Sequence, residues 1–294
     1  MTGPFLLIVN PASRRGARLE SRAVKAFAKA GARCDVLRTE SPGHGAELAL
    51  RHAANYEAVF TLGGDGTAIE VIGALTHSGP PVGVLPGGTA NVVARTLGTP
   101  VRISRAVKAL LEGNEARIDL GLLSTGHRFM IGMGVGLDAT TIAGAPGPLK
   151  RRLGFFAYVV AALKAFARLE KFDVRLTVDG ETMEMRVSAV LIANFGAVMN
   201  DLISFGDGIQ RDDGLLNACI YSPRNVVDAT RILLKMTFRR FTPDPCIVYR
   251  SGSSFTIETD PPRLGQADGE LIGDSPFSVV VEPLAARVLV PRGR

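Results

Sequence analysis

The chain has no tryptophan, only four tyrosines, and no basic run interleaved with aromatics. Platforms on which bases could stack are therefore scarce, which argues against a nucleic-acid partner. Its three cysteines, Cys34, Cys219 and Cys246, lie far apart with no Cys-x-x-Cys spacing and no histidine partners, so they read as buried free thiols. The four histidines, His44, His52, His77 and His127, show no ligand spacing either. No apolar stretch is uncharged for long enough to cross a bilayer. The opening Met1-Thr2-Gly3-Pro4 lacks the basic segment and apolar core of a secretory signal, so a cytoplasmic protein is expected. No low-complexity linker interrupts the chain.

What is present points to anions. Lysine and arginine outnumber the acids 34 to 28, a net charge of +6, which favours nucleotide phosphates or an anionic membrane face. At 294 residues the chain has room for two domains, each with its own core.

The first 120 residues repeat one theme. Short apolar runs, "FLLIVN", "CDVLRT", "AVFTL" and "VGVL", alternate with segments of helical spacing such as Leu19 to Ala30 and Ala46 to Ala54. That alternation predicts an α/β domain with a mostly parallel sheet. After Asp119 the pattern changes to period-two alternation in "DVRLTVDG", "MEMRVSAVLIANFG" and "PFSVVVE", which predicts an antiparallel sheet domain. Two helices interrupt it, near Leu149 to Glu170 and Asn225 to Phe241. The expected division is therefore 1–120 and 121–294, with a tight hinge near residue 120, an enclosed cleft, and final residues that could return to the first domain.

Three of the early strands run into small-residue loops. In "GGDGT", Gly63 and Gly64 permit positive φ and let a phosphate approach the backbone without a Cβ in the way. Gly66 and Thr67 then lead into an apolar helix whose free N–H groups favour an anion. Asp65 is out of place beside phosphate unless a divalent cation stands between them or it does acid–base work, so it points to Mg²⁺ or proton transfer. A hairpin turn is the plain alternative, but a helix pattern follows rather than a pairing strand. "PGGTAN" has the same grammar, with Thr89 and Asn91 placed to bond phosphate or ribose. "NPASRRG" contributes Asn10, Pro11 and Ser13 beside Arg14 and Arg15. In an open α/β sheet such loops gather at the carboxyl edge of the strands.

This ordered set, with "IANFG", "DDGLLNACIY" and "ADGE" further on, resembles the diacylglycerol kinase catalytic-domain superfamily of soluble bacterial lipid kinases, sphingosine and ceramide kinases and, more distantly, NAD kinases. The resemblance covers nearly the whole chain. It implies an NAD-kinase-like α/β domain followed by a β-sandwich-like domain, and ATP-dependent phosphorylation of a lipid hydroxyl. Carried onto this chain, it places ATP phosphates against Asn10 to Arg14 and Gly63 to Ile69, with Thr39 and Thr89 also touching the nucleotide. It makes Asp268 the proton acceptor, with Asp65 and Glu270 fixing Mg²⁺ and Arg14, Arg15 or Arg95 as charge stabilisers. It also assigns a structural Mg²⁺ to the Asp213 carboxylate and the Gln210 and Leu215 carbonyls. Val92 stands where many lipid kinases carry an aspartate, which removes one acid. On residue pattern alone, "ADGE" is equally a turn between two strands.

The expected partners are a lipid substrate and a transient anionic membrane surface, with a homodimer left open and no nucleic acid expected. Segments 150–166 and 231–241 combine apolar and cationic residues, and either dock on anionic lipid or cover the β domain. Two other functions compete. NAD kinases share "GGDGT" but not "PGGTANVVAR"; a non-catalytic nucleotide-binding regulator is opposed by Asp65, Asp268 and Glu270. Diacylglycerol and sphingoid or ceramide-type acceptors remain alternatives.

Overall fold

The computed structural model describes residues 3–13, 16–136, 170–198 and 203–293. Arg14, Arg15 and all but the last residue of the helix expected over 149–170 lie outside these residues. The chain divides into two compact units, one built chiefly from Met1–Leu120 with Pro283–Arg294, the other from Gly121–Ala197 and Leu202–Glu282.

In the first unit, β1 (Phe5–Val9), α1 (Gly16–Lys29), β2 (Cys34–Arg38), α2 (His44–His52), β3 (Ala58–Gly63), α3 (Asp65–Ala74), β4 (Val82–Pro86), α4 (Val92–Thr96), α5 (Ile103–Leu111) and the start of β5 (Asn114–Leu123) follow in order. The strands run parallel in the order β2-β1-β3-β4, with Phe5 opposite both Cys34 and Ala58 and Val59 opposite Val82. β1 and β3 are buried at every position, which is why they read as unbroken apolar runs and not as alternation. Phe5, Phe27 and Phe60 form the centre of the core, with edge-on contacts at 5.6 and 4.9 Å.

The second unit continues with β6 (Arg128–Phe129), β7 (Gly132–Val135), β8 (Phe172–Val178), β9 (Glu181–Val187), β10 (Ala189–Ala193), β11 (Ala197–Val198), β12 (Ile203–Ser204), β13 (Leu216–Tyr221), α6 (Val226–Phe238), β14 (Ile247–Gly252), β15 (Ser254–Asp260), β16 (Leu264–Ala267), β17 (Glu270–Asp274) and β18 (Phe277–Val290). One antiparallel sheet is ordered β14-β13-β10-β7-β16-β17, and β9, β8, β15 and the start of β18 pair antiparallel in another. Strand β8 buries alternate residues. Phe172, Val174, Leu176 and Phe255 meet Met133, Val190, Ile192 and Ile220 in the shared core of the two sheets, the sandwich arrangement. The far end of β18 belongs to the first unit, where Val288 pairs parallel with Val82.

Helix α6 begins where the Asn225 side chain accepts the Asp228 N–H at 2.9 Å, and stops three residues before the expected Phe241 because Arg239 turns to φ 53°. Its Ile232 and Met236 pack with residues of β10 and β13, and Ala229 is buried. All three cysteines are free; Cys219 and Cys246 are buried and Cys34 is partly so. Among the described residues, no helix is long and apolar enough to cross a membrane.

Candidate active site

The carboxyl ends of the parallel strands place four sequence signals along one edge. Asn10 follows β1, Thr39 follows β2, Gly63 to Thr67 pass from β3 into α3, and Gly87 to Asn91 join β4 to α4. Asn10 organises the first loop. Its Nδ2 donates to Thr67 Oγ1 at 3.0 Å, its Oδ1 accepts the Ala12 and Ser13 N–H groups, and Ser13 Oγ donates to its carbonyl at 2.8 Å. Pro11 and Ala12 form the exposed tip of that turn. Thr39 is buried, and its N–H donates to the Val9 carbonyl at 2.9 Å.

Neither Gly63 nor Gly64 has positive φ; Gly64 sits at φ −85° in extended backbone. What requires them is close approach. A Cβ on Gly87 would stand 2.9 Å from Gly63 N, a Cβ on Gly88 would stand 2.7 Å from Gly64 Cα, and the Gly87 N–H donates to the Gly63 carbonyl at 3.0 Å. The two glycine loops are thus stacked backbone on backbone. On Gly64 the result is the opposite: no atom lies within 4 Å of where a Cβ would stand. The first helical bond of α3 is made by the Ala68 N–H to the Gly64 carbonyl, so the amides of Asp65, Gly66 and Thr67 precede it, and no side chain caps them. An open flank beside a helix N-terminus fits a phosphate.

Asp65, not Thr67, is the first residue of α3. Its Oδ1 accepts the Val93 N–H of α4 at 2.8 Å, and its side chain makes no other hydrogen bond to the described residues. Asn91 differs from expectation. It is buried at φ 50°, its Oδ1 accepts the Gly88 N–H at 2.7 Å, and its Nδ2 donates to the Gly88 carbonyl at 3.1 Å. Its side chain is a clasp that shapes the glycine loop. Thr89 is exposed, while Arg95 is half-buried with an Nε that has no partner among the described residues.

In the second unit, "ADGE" is the turn between β16 and β17, with Asp268 at φ 48° and Gly269 at φ 93°, the two positive values of a tight hairpin. The plain reading of that motif therefore holds for its backbone. Asp268 also reaches across the fold: its Oδ2 accepts the Met130 N–H at 2.6 Å, and its Oδ1 accepts the Ile131 and Gly132 N–H groups at 2.9 and 3.0 Å. These three amides fix the position of the carboxylate. Asp268 thus holds the turn in place, besides the proton-acceptor role expected of it. Glu270, two residues on, is exposed, and its side chain makes no hydrogen bond or ion pair with the described residues.

A residue that the sequence showed without its role completes this group. Asn194, fully buried in "IANFG", donates from Nδ2 to the Met130 carbonyl at 2.8 Å, and its N–H donates to the Ile131 carbonyl at 3.0 Å. The available signal was a polar residue ending the all-buried strand β10.

The expected metal loop is an irregular stretch in which Gln210 and Asp213 are exposed, Gly214 has φ 74°, and Asp213 Oδ1 accepts the Leu215 N–H at 3.0 Å. No group of three His, Cys, Asp or Glu side chains that could hold a metal occurs among the described residues. Magnesium takes one or two carboxylates and completes its shell with water, phosphate or carbonyl oxygen, so Asp65 and Asp213 each fit it with the oxygen not bonded to an amide.

Comparison with known proteins agrees with this organisation. Residues 4–123 match the diacylglycerol kinase catalytic domain, and residues 132–290 match the YegS C-terminal NAD kinase beta sandwich-like domain. An uncharacterized protein of Synechocystis sp. is 29% identical over 79% of the chain, which spans only 54% of that protein's length. A diacylglycerol kinase of Staphylococcus aureus strain JH9 is 27% identical, with 92% of this chain and 87% of that one aligned. A crystal structure of a diacylglycerol kinase from Bacillus anthracis str. Sterne shares the fold with a TM-score of 0.77 at 21% identity, covering 98% of this chain and 97% of that one.

Proposed function

Because the chain belongs to the diacylglycerol kinase family of lipid kinases, we propose that it transfers the γ-phosphate of ATP, with Mg²⁺, to the hydroxyl of a diacylglycerol or a sphingoid or ceramide-type lipid. The observation that carries this reading is the stacked pair of glycine loops, which leaves the flank of Gly64 and the start of α3 open to an anion. The nucleotide phosphates lie there and against the Asn10–Ser13 turn, with Thr39 and Thr89 as further contacts.

Phosphoryl transfer asks a protein chiefly for alignment and charge neutralisation. Asp65 would hold the catalytic Mg²⁺, and Asp213 with the Gln210 and Leu215 carbonyls would hold a structural one. The ion supplies neutralisation of charge on the phosphates. Of the two carboxylates at this turn, Glu270 has no side-chain partner among the described residues and would take the proton of the acceptor hydroxyl, and Asp268 fixes the turn that presents it.

The test is transfer of label from γ-labelled ATP to detergent-dispersed diacylglycerol, monoacylglycerol, ceramide or sphingosine, with NAD in a separate arm. Labelled lipid that disappears in Glu270→Gln is the expected result. Labelled NADP, or no labelled product at all, overturns the reading.

A further inference from the structure

Helix α6 has a second apolar face that the fold does not use. Ile232 and Met236 point into the core beneath it, and Ala229 on the same side is buried. At about 100° per residue, Val227, Leu234 and Phe238 cluster within roughly 40° of one another on the diametrically opposite side. They are 72%, 50% and 67% exposed. The stripe runs about 16 Å along the helix, from the 1.5 Å rise over eleven residues.

The charges around the stripe are sorted. The one acid of α6, Asp228, is 4% exposed and bonded to Arg224 at 3.1 Å and Arg231 at 2.9 Å. The acid on the neighbouring loop, Asp244, is held by Arg231 and Lys235, both at 2.9 Å. Both carboxylates are thus spent inward. Arg239 and Arg240 are exposed just past the end of the stripe, and the Arg224 side chain is 65% exposed near its beginning.

An apolar stripe flanked by cations, with no outward acid on its helix, matches a surface that is apolar beneath and anionic on top. We propose that the outer face of α6 docks on an anionic lipid bilayer, Val227, Leu234 and Phe238 entering the acyl boundary while Arg239 and Arg240 meet the headgroups. This rests on the lipid-kinase reading for its purpose, since an enzyme with a bilayer-borne acceptor needs a surface that brings it there. A second copy of this chain is a poorer occupant. A stable interface buries about 800 Å² per partner from some 20–30 residues, far more than one three-residue stripe provides, and two such faces would bring their arginines together.

The test is co-sedimentation with vesicles of equal parts phosphatidylglycerol and phosphatidylcholine, and with phosphatidylcholine alone. Binding to the anionic vesicles that weakens with salt is expected. Leu234→Ser with Phe238→Ser should lower the partition coefficient about tenfold or more, from the apolar surface withheld. Arg239→Gln with Arg240→Gln should lower it about 30-fold and remove most of the salt dependence, at roughly fivefold per arginine. Unchanged thermal midpoints report intact folding, since all four side chains are exposed. Lipid dispersed in detergent should still be phosphorylated by both variants within about twofold. Equal sedimentation of variants and parent overturns the proposal, as does a parent that does not sediment, or a dimer lost from both variants while vesicle binding persists. Failure to phosphorylate dispersed lipid would instead strike the kinase reading and leave the sedimentation result to stand alone.

Discussion

Gly132 and Asp268 are joined twice: the Gly132 N–H donates to Asp268 Oδ1 at 3.0 Å, and the Asp268 N–H donates to the Gly132 carbonyl at 3.0 Å. These residues lie 136 positions apart, on the start of β7 and in the β16–β17 turn. The reciprocal pair, with Met130 and Ile131 adding their amides to the same carboxylate, fixes the turn against the 130–132 segment. A positive-φ aspartate followed by glycine then sets the direction in which Glu270 leaves the turn.

Asp268→Asn and Glu270→Gln should accordingly fail in different ways. The asparagine puts an NH₂ group where a carboxylate oxygen accepted an amide, which leaves at least one N–H unpaired and costs about 1–3 kcal/mol of stability. The glutamine touches no partner and should stay within about 0.5 kcal/mol of the parent, while kcat falls about 10²- to 10⁴-fold. Denaturation midpoints beside steady-state kinetics separate the two. A Glu270→Gln enzyme with near-parental kcat removes Glu270 from the role of base.

Asn194 acts on the same turn through its neighbour. Asn194→Ala removes the donor to the buried Met130 carbonyl and should cost about 1–3 kcal/mol. It should also lower kcat while the KM for ATP stays within about twofold, since the nucleotide loops belong to the other unit. A variant that loses stability but keeps kcat marks Asn194 as a packing residue only.

The glycine loops give a matched set. Gly87→Ala and Gly88→Ala drive a methyl into the backbone of Gly63 or Gly64 and should each cost about 1–3 kcal/mol as overpacking. Gly64→Ala meets no atom of the protein at an ordinary φ of −85° and should remain as stable as the parent within about 0.5 kcal/mol. Its methyl stands where a phosphate approaches, so KM for ATP should rise about tenfold or more. Unchanged ATP affinity in Gly64→Ala would place the nucleotide elsewhere.

Local patterning carried the fold further than it carried the site. Period-two alternation in β8 and the buried runs of β1 and β3 each depend on one strand and its burial, so the two domain types were readable from the sequence. The roles of Gly63, Gly87, Asn91 and Asp268 depend on partners remote in the chain or on a turn closed over its own backbone. "GGDGT" and "PGGTAN" could be recognised separately, but nothing in either says that 24 residues later one loop presses on the other. The motif "ADGE" looked like both a hairpin and a catalytic loop, and it is a hairpin whose aspartate is held by three amides from residues 130–132.

Asp65 tests the metal assignment separately from the fold. Asp65→Asn keeps an oxygen for the Val93 N–H at the start of α4 but removes the charge. Stability should hold within about 0.5 kcal/mol, and Mg²⁺-dependent turnover should fall about 10²-fold or more as the cation loses its carboxylate. Asp65→Ala loses the tether as well and should cost a further 1–2 kcal/mol or so. Titrating Mg²⁺ against rate is the measurement, and an Asp65→Asn enzyme with the parental magnesium requirement argues against any contact with the ion.

The acid limit of stability should depend on Asp244. Its hydrogen bonds with Arg231, against the opposing effect of burial and with help from Lys235 and the Cys246 N–H, hold its carboxyl well below the usual carboxylate range. A carboxyl depressed in the folded state binds fewer protons there than in the unfolded chain, so its contribution is complete above the unfolded value of about 3.9 and is lost as pH falls below it. Asp244→Asn should therefore be less stable than the parent at pH 7, and the gap should narrow steadily below about pH 4. Urea midpoints for both proteins from pH 7 down to pH 3 provide the comparison. Two curves that stay parallel through that window would mean that the ion pairs with Arg231 and Lys235 contribute nothing to the folded state, and that α6 is held by its apolar inner face alone.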